Sequence, residues 1–422
     1  MRLLAISYML PPALYPQAIQ IGRILARLPA EIGAVSGAAS LMAGGLDSDP
    51  EFDRRLAFRL EIPFRPALSG SALAIAKRFL PLYAAIPDEF RFWVAKAEAA
   101  VTTKLDESDF LPDLVASFGE PMSDHLLGLR LKRRYGLPWV AHFSDPWADS
   151  VFRRGQFLAN AVNRRLEAQV IATADRIIFT SQETLDLVLR RYPDDLRYKM
   201  NVIPHGFDSK LYISPSAKPE RIVVRYLGSL FGRRNPLPLF RALKTILEQE
   251  PALVAGVGFE LIGPVSSWIA RRPAYRALPQ GLVRIVDTVP YRESLRLMAG
   301  ADLLLVIDMP DEVSVFLPSK LIDYLGASVP IMGIVPPGAS AALLKRLDAV
   351  IADPRKPSEI VAGLRRALAE ARQRRRASEP APWGDPAIRA EYRIERTAAA
   401  FAEILRETVA AVAGGRIPPH MI

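Results

Sequence analysis

The chain has 422 residues and no cysteine. That excludes disulfides and thiolate metal sites, and it fits a reducing compartment. Histidine is scarce: His125, His142, His205 and His420 are scattered and show no metal-ligand spacing. No uninterrupted run of ~18 apolar residues occurs, so a membrane-spanning helix is not expected. The opening Met1-Arg-Leu-Leu-Ala-Ile-Ser-Tyr-Met-Leu-Pro-Pro12 has a short apolar stretch ended by two prolines, with no small-residue cleavage site. It reads as a buried first strand rather than a signal peptide. Zinc-finger, helix-turn-helix and RNA-binding aromatic motifs are absent too, which puts nucleic acid last among the partners that a basic chain could serve.

What is there is ordinary globular composition, 50% apolar and 24% charged, with a net charge of +10. That charge suits an anionic membrane surface or a phosphate-bearing substrate. The length favours two domains. Short apolar runs alternate with helical patterns. Strands are expected at residues 2–7, 114–118, 137–143, 176–180 and 201–204. Helices are expected at 15–27, 124–135, 157–172 and 182–191, the last capped by Ser181. The pattern restarts after a linker at 210–218. Strands follow at 221–227, 259–262, 283–286, 303–307 and 329–334, and helices at 236–249, 291–299, 319–325 and 357–371. Such alternation argues for two parallel sheets, each covered by helices on both faces. The aromatic and basic stretch 73–105 stands outside it. So do the basic run 372–376, the proline-rich 379–386 and one long terminal helix at 388–405.

Three segments carry candidate chemistry. In Leu227-Gly-Ser-Leu-Phe-Gly-Arg-Arg-Asn-Pro236, Gly228 and Ser229 follow a strand and precede a helix, where a backbone approaches a phosphate closely. Arg233 and Arg234 add charge suited to phosphate; the plain alternative is a tight turn with solvated arginines. In Pro318-Ser-Lys-Leu-Ile-Asp-Tyr-Leu-Gly-Ala-Ser-Val-Pro330, Ser319 is placed to cap a helix. Lys320 in its first turn opposes the helix dipole unless an anion lies beside it. Asp323 lies one turn on and suits the hydroxyls of a ribose, or else forms an ordinary surface pair with Lys320. In Ala141-His-Phe-Ser-Asp-Pro-Trp-Ala-Asp149, His142 and Asp145 end a strand and are candidates for handling an acceptor proton. A structural Asp-Pro turn with Trp147 packed beneath it is the alternative.

Taken in order, these motifs, with Ile203-Pro-His-Gly-Phe-Asp208 and Val289-Pro-Tyr-Arg-Glu-Ser-Leu295, give the chain a resemblance over nearly its whole length. It resembles bacterial GT-B glycosyltransferases of family 4, a retaining group, and the Asp145-Pro-Trp147 element is similar to one subgroup. The resemblance implies an α/β GT-B fold of two Rossmann-like doubly wound domains with an interdomain cleft. Residues 1–205, completed by a terminal helix at 388–410, would form the acceptor side, and 206–386 the nucleotide-sugar side. It implies Arg234 at the donor diphosphate, Asp323 at the ribose where most members have glutamate, and the amides of the turn ending at Lys320 facing the diphosphate. No metal or other cofactor is expected, because these groups would hold the leaving diphosphate. Three departures stand out. Val315 replaces a second glutamate, Pro11-Pro-Ala-Leu-Tyr-Pro-Gln17 has no glycine pair, and Ser144 and Asp145 stand where a histidine is common.

The function expected is transfer of a sugar from a nucleotide-diphosphate sugar to an acceptor hydroxyl, in cell-surface polysaccharide or glycolipid assembly. A nucleotide-sugar epimerase and a non-catalytic binding protein of the same fold are the rivals. The expected location is cytoplasmic, with peripheral attachment to the inner face of the plasma membrane left open. Arg78, Phe79, Arg91, Trp93, Arg130, Lys132, Arg133, Arg153 and Arg154 would meet an anionic membrane and a lipid-linked sugar acceptor, or are simply solvated helix faces.

Overall fold

The computed structural model describes residues 1–42, 49–213, 220–377 and 381–414, except the side chains of Ser71, Pro81 and Tyr83. The expected linker from residue 214 on, the first two residues of the proline-rich stretch and His420 lie outside the described residues. The chain divides into two compact units, Met1–His205 with Ile394–Ile422, and Gly206–Arg393.

The first unit runs β1 (Arg2–Ile6), α1 (Pro16–Arg27), β2 (Glu31–Gly37), α2 (Pro50–Asp53), β3 (Leu56–Ile62), α3 (Gly70–Phe79), α4 (Pro81–Ala84), α5 (Arg91–Asp106), β4 (Leu114–Gly119), α6 (Ser123–Tyr135), β5 (Trp139–Phe143), α7 (Phe157–Thr173), β6 (Arg176–Phe179), α8 (Gln182–Leu189) and β7 (Met200–Val202). Its seven strands are all parallel, in the order β3-β2-β1-β4-β5-β6-β7. Strands β2 and β3 are additions to the sequence reading. Their glycines and charges, as in Glu31-Ile-Gly-Ala-Val-Ser-Gly37, dilute the apolar signal that marks a central strand. Every residue of β4 and β5 is buried, as expected where helices cover both faces of a parallel sheet.

Local signals hold where they are strong. Ser181 caps α8, its hydroxyl accepting from the Thr184 amide at 3.1 Å. Gly136 ends α6 in the left-handed region, φ 69°, after a last turn of Lys132, Arg133 and Arg134 that suits the helix dipole.

The second unit holds β8 (Ile222–Leu227), α9 (Leu237–Gln249), β9 (Val257–Ile262), α10 (Pro273–Arg276), β10 (Val283–Val286), α11 (Tyr291–Ala299), β11 (Leu303–Ile307), α12 (Ser319–Ala327), β12 (Ile331–Ile334), α13 (Ala339–Arg346), β13 (Val350–Ala352), α14 (Pro357–Arg376) and α15 (Pro386–Glu391). Its six strands are parallel in the order β10-β9-β8-β11-β12-β13. Each sheet reverses direction at one place, between β1 and β4 in the first and between β8 and β11 in the second. Doubly wound sheets bind ligands at the carboxyl ends of the strands flanking such a reversal.

Two expectations are corrected. The basic run 372–376 is the last turn of α14, not a tail. Arg375 Nη1 reaches Asp302 Oδ2 at 2.7 Å and the Arg221 carbonyl at 2.9 Å, so the charge is anchored. The terminal helix is not continuous from 388. It breaks between α15 and α16 (Ile394–Ala413), because the Tyr392 carbonyl accepts from the Phe207 amide at 2.9 Å instead of continuing a helix. Helix α16 then lays a stripe of Ile394, Ala398, Phe401 and Leu405 against the first unit. The Phe401 ring stacks on Phe118 of β4 at 5.8 Å.

His142 and His205 are buried beside that contact, their rings 6.1 Å apart. Burial holds both below the ordinary imidazole range, His205 at about 4 with Arg23 adding repulsion. The unfolded chain binds protons at pH 6.5 that the folded one refuses, so this contribution to stability is full above pH 6.5 and falls on acidification. By pH 5 the loss amounts to about 2 kcal/mol for His205. Thermal unfolding from pH 7 to pH 5 should therefore show His205→Gln losing stability less steeply than the parent chain; parallel slopes would contradict it.

Candidate functional site

A polar cluster in the second unit lies at its sheet reversal. Strand β8 ends at Leu227 and β11 at Ile307, side by side. Beyond β8 the chain turns through Gly228, with φ 131°, a conformation that side-chain-bearing residues rarely adopt. A Cβ there would stand 2.8 Å from Lys320 Nζ. On its other side Gly263, φ 123°, follows β9, and a Cβ on it would meet the Gly228 carbonyl oxygen at 2.8 Å. The two glycines let backbone and lysine crowd together.

Lys320 stands in the first turn of α12. Its ammonium lies 4.1 Å from the centroid of the Tyr226 ring and donates to the Tyr226 hydroxyl, which in turn donates to the Ser229 carbonyl at 3.0 Å. The Leu227 amide donates to the Tyr324 hydroxyl at 2.9 Å. Tyr226, the last residue but one of β8, thus joins the glycine turn to α12. Although Lys320 keeps some exposed surface, it is enclosed deeply enough that burial pushes its ammonium down to about 7. Arg234 adds repulsion, and Asp308 partly opposes the shift.

Asp308 follows β11 and is buried. Its Oδ1 takes the Arg234 guanidinium at 3.2 Å and the Met309 amide at 2.8 Å, and its Oδ2 takes the Ser314 hydroxyl at 2.7 Å. Arg234 is held inward by this pair. Arg233 turns away toward the loop after β11, donating to the Pro310 carbonyl at 2.6 Å. Asp323 is buried one turn along α12, where Tyr291 donates to its Oδ1 at 3.2 Å, with the Tyr212 hydroxyl at 3.5 Å from the same atom.

The structure therefore brings Gly228, Ser229, Arg234 and Lys320 together. Arg233 points aside, and Asp323 lies deeper along the helix. Ser319 is the first residue of α12 and not its cap; the cap position is Pro318, with no side-chain bond to the helix. Val315 sits partly buried in the loop between Ser314 and the helix. Tyr226 and Asp308 were missed by sequence reasoning, because one looked like a core strand aromatic and the other like a strand-terminating turn. The signal for Asp308 was its place at the end of β11, at the sheet reversal.

In the first unit, His142 and Asp145 part company. His142 is 1% exposed and packs between Phe118, at 5.4 Å, and Phe401, at 6.1 Å. Asp145 follows β5 and keeps exposed surface. Trp147 is fully buried, its indole donating to Asn163 Oδ1 at 3.0 Å, so this tryptophan packs. A group unforeseen in the sequence is Glu120, directly after β4 at the reversal between β1 and β4. Although the residue keeps exposed surface, burial of its carboxyl first, then the charges of Asp145 and Asp88, push it up to about 8. Its backbone amide donates to Gln17 Oε1 at 2.7 Å.

The balance of charge thus differs between the two sheet reversals: Glu120 and Asp145 in the first unit, Lys320 and Arg234 around the single carboxylate Asp308 in the second. A buried lysine costs stability that a methionine of similar length does not. Its unfolded form holds a proton that the folded form gives up near neutrality, so the chain gains stability relative to a Lys320→Met variant as pH rises from 7 toward 9. Unfolding measurements should find Lys320→Met at least as stable as the parent at pH 6.5, with its advantage shrinking at pH 9. A large loss at pH 6.5 would make Lys320 a structural group.

Residues 23–206 match the family described as Glycosyl transferase 4-like domain. No curated protein sequence matches the chain. Solved structures do match it in shape. Sucrose-phosphate synthase from Thermosynechococcus elongatus is 15% identical, with 97% of this chain and 100% of that one covered and a TM-score of 0.68. Anabaena HepE, solved with UDP and glucose, is 15% identical over 96% and 100%, with a TM-score of 0.65. WaaG, a glycosyltransferase involved in lipopolysaccharide biosynthesis, is 15% identical over 98% and 100%, with a TM-score of 0.57. At such identities the likeness establishes the fold, GT-B, built from two Rossmann-like α/β domains.

Proposed function

We propose that the protein is a glycosyltransferase that moves a sugar from a nucleotide-diphosphate sugar to an acceptor hydroxyl in the assembly of a cell-surface polysaccharide or glycolipid. The observation that carries this reading is the Lys320 ammonium held against Tyr226 at the Gly228 turn, beside the Arg234–Asp308 pair. A cation marginally charged at neutral pH is stabilised by an anion, and a diphosphate supplies one. The glycosyl transferase 4-like match over residues 23–206 and the kinship in shape with UDP-bound HepE support the same donor class.

In the reaction, the bond from the anomeric carbon to the diphosphate oxygen breaks and a bond to the acceptor oxygen forms. Negative charge collects on the leaving diphosphate. Lys320, Arg234 and the first amides of α12 stabilise it as it develops. The acceptor hydroxyl gives up its proton, and Asp145 is the group proposed to take it. His142, enclosed among aromatic rings, is not carried forward for that role. Asp323 would hold the ribose by exchanging its tyrosine hydroxyls for the sugar's. Retention of anomeric configuration, a lipid-linked acceptor and independence from a metal are part of the proposal.

A panel of UDP- and GDP-sugars with candidate acceptors tests it. Transfer is expected, and Arg234→Ala and Lys320→Ala should each lower kcat/KM by about 100- to 1,000-fold. Interconversion of the sugar without any acceptor would favour an epimerase. Donor binding without turnover would favour a non-catalytic protein, a reading that Val315 in place of the usual glutamate invites.

A further inference from the structure

Among the described residues, eight of the seventeen exposed large apolar side chains fall within two short segments, residues 75–92 and 152–158, so they form a patch and are not scattered. Phe79 is 69% exposed and Phe157 81%. The segments are tied together. Arg153 donates to the Ala85 and Pro87 carbonyls at 2.8 and 2.5 Å, and Asn163 of α7 donates to Ala85 at 2.8 Å. Phe79 at the end of α3, Leu80 after it and Leu82 on α4 therefore share a surface with Phe157 and Leu158 at the start of α7.

The charge on this surface has one dominant sign. From 150 to 166 the chain carries Arg153, Arg154, Arg164 and Arg165 and no acid. Around α3 and α5 it carries Lys77, Arg78 and Arg91. Of the acids nearby, Asp88 is buried and accepts from Ser123, Glu89 pairs with Lys77 at 2.9 Å, Glu98 pairs with Arg130, and Glu120 offsets part of the charge of Lys77 and Arg153. Arg78 and Arg91 lie over the neighbouring Phe79 and Phe92 rings, at 5.5 and 4.5 Å. Ring and guanidinium thus stand at one level. That is the arrangement of a bilayer interface, where rings sit among headgroups and arginines reach phosphates.

The structure also narrows the basic and aromatic set that the sequence offered. Trp93 is fully buried, Lys132 pairs with Asp175 at 2.8 Å, and Arg130 pairs with Glu98 at 2.7 Å. Among the described residues no helix is long and apolar enough to cross a membrane.

We propose that the surface formed by the end of α3, α4 and the starts of α5 and α7 docks on an anionic lipid bilayer, with Phe79, Leu80, Phe157 and Leu158 entering the interface and Arg78 and Arg91 on lipid phosphates. The purpose, meeting a lipid-linked acceptor, rests on the proposed function, but docking itself needs neither donor nor acceptor.

Flotation of the full chain with vesicles tests it. Binding is expected to mixed phosphatidylglycerol and phosphatidylcholine at low salt, and little to phosphatidylcholine alone. Arg78→Ala with Arg91→Ala should weaken binding by about 25-fold, about fivefold per charge. Phe157→Ser with Leu158→Ser should weaken it at least as much. Should that pair fail to fold, as judged by thermal unfolding, the arginine pair decides. UDP binding measured on the same variants should be unchanged, which separates failure of docking from failure of the donor reading. No binding of the parent chain to anionic vesicles, or binding that the arginine pair leaves intact, overturns the proposal. Self-association abolished by Phe157→Ser and Leu158→Ser, without vesicle binding, assigns the patch to a second copy and also overturns it.

Discussion

One ammonium group, that of Lys320, ties together three elements of the second unit. It is carried in the first turn of α12, where the helix dipole opposes it, and it is pressed against the Tyr226 ring. Such a placement needs room, and the room is the missing side chain of Gly228. It needs an acceptor, and the Tyr226 hydroxyl is that acceptor while also pinning Ser229. It needs a counter-charge nearby, and buried Asp308 supplies one that it shares with Arg234. Each requirement falls on a different element, β8, the turn after it, and the end of β11. The parallel sheet brings these together because its strand order reverses between β8 and β11.

The first unit solves a different problem with the same topology. Its reversal lies between β1 and β4, and the groups collected there are carboxyls. Asp124, wholly buried, accepts from the Tyr8 amide at 2.8 Å, and burial pushes its acid well above the usual range. Glu120 and Asp145 crowd each other nearby. Under the proposed function this difference of sign has a chemical reason. A leaving diphosphate is stabilised by cations, whereas a hydroxyl that must lose a proton is served by a carboxylate. His142, which the sequence offered for the same work, packs between Phe118 of the sheet and Phe401 of α16.

The outer surface follows a third logic. A contiguous patch of exposed phenylalanine and leucine is unfavourable in water and marks a surface that meets a partner. The patch on α3, α4 and the starts of α5 and α7 differs from the basic face of α6 in its exposed rings, Phe79 and Phe157 among them, whereas on α6 Arg130 and Lys132 pair with Glu98 and Asp175. Glu98 of α5 and Asp175 before β6 face α6 directly, while the stretch from 150 to 166 carries four arginines and no acid of its own.

Most strands and helices were legible in the sequence, because burial on both faces of a parallel sheet forces runs such as Leu-Val-Ala-Ser-Phe-Gly and Leu-Leu-Leu-Val-Ile, and turns force glycine. The α/β class and the phosphate-suited segments at Gly228 and Lys320 followed from local rules alone, the latter from a charge that contradicts its helix. Strands β2 and β3 escaped, since their glycines and charges blur the pattern. So did the break before α16, which depends on a carbonyl of Tyr392 meeting an amide almost two hundred residues away. Tertiary structure alone decided that Arg234 turns in while Arg233 turns out, that Tyr226 and Asp308 join the site, and that His142 is walled off while Asp145 is not. The reason is common to all of these. A sequence specifies which groups are available and how each segment prefers to fold, but which carboxylate meets which cation is set by strand order, and strand order is a property of the assembled sheet.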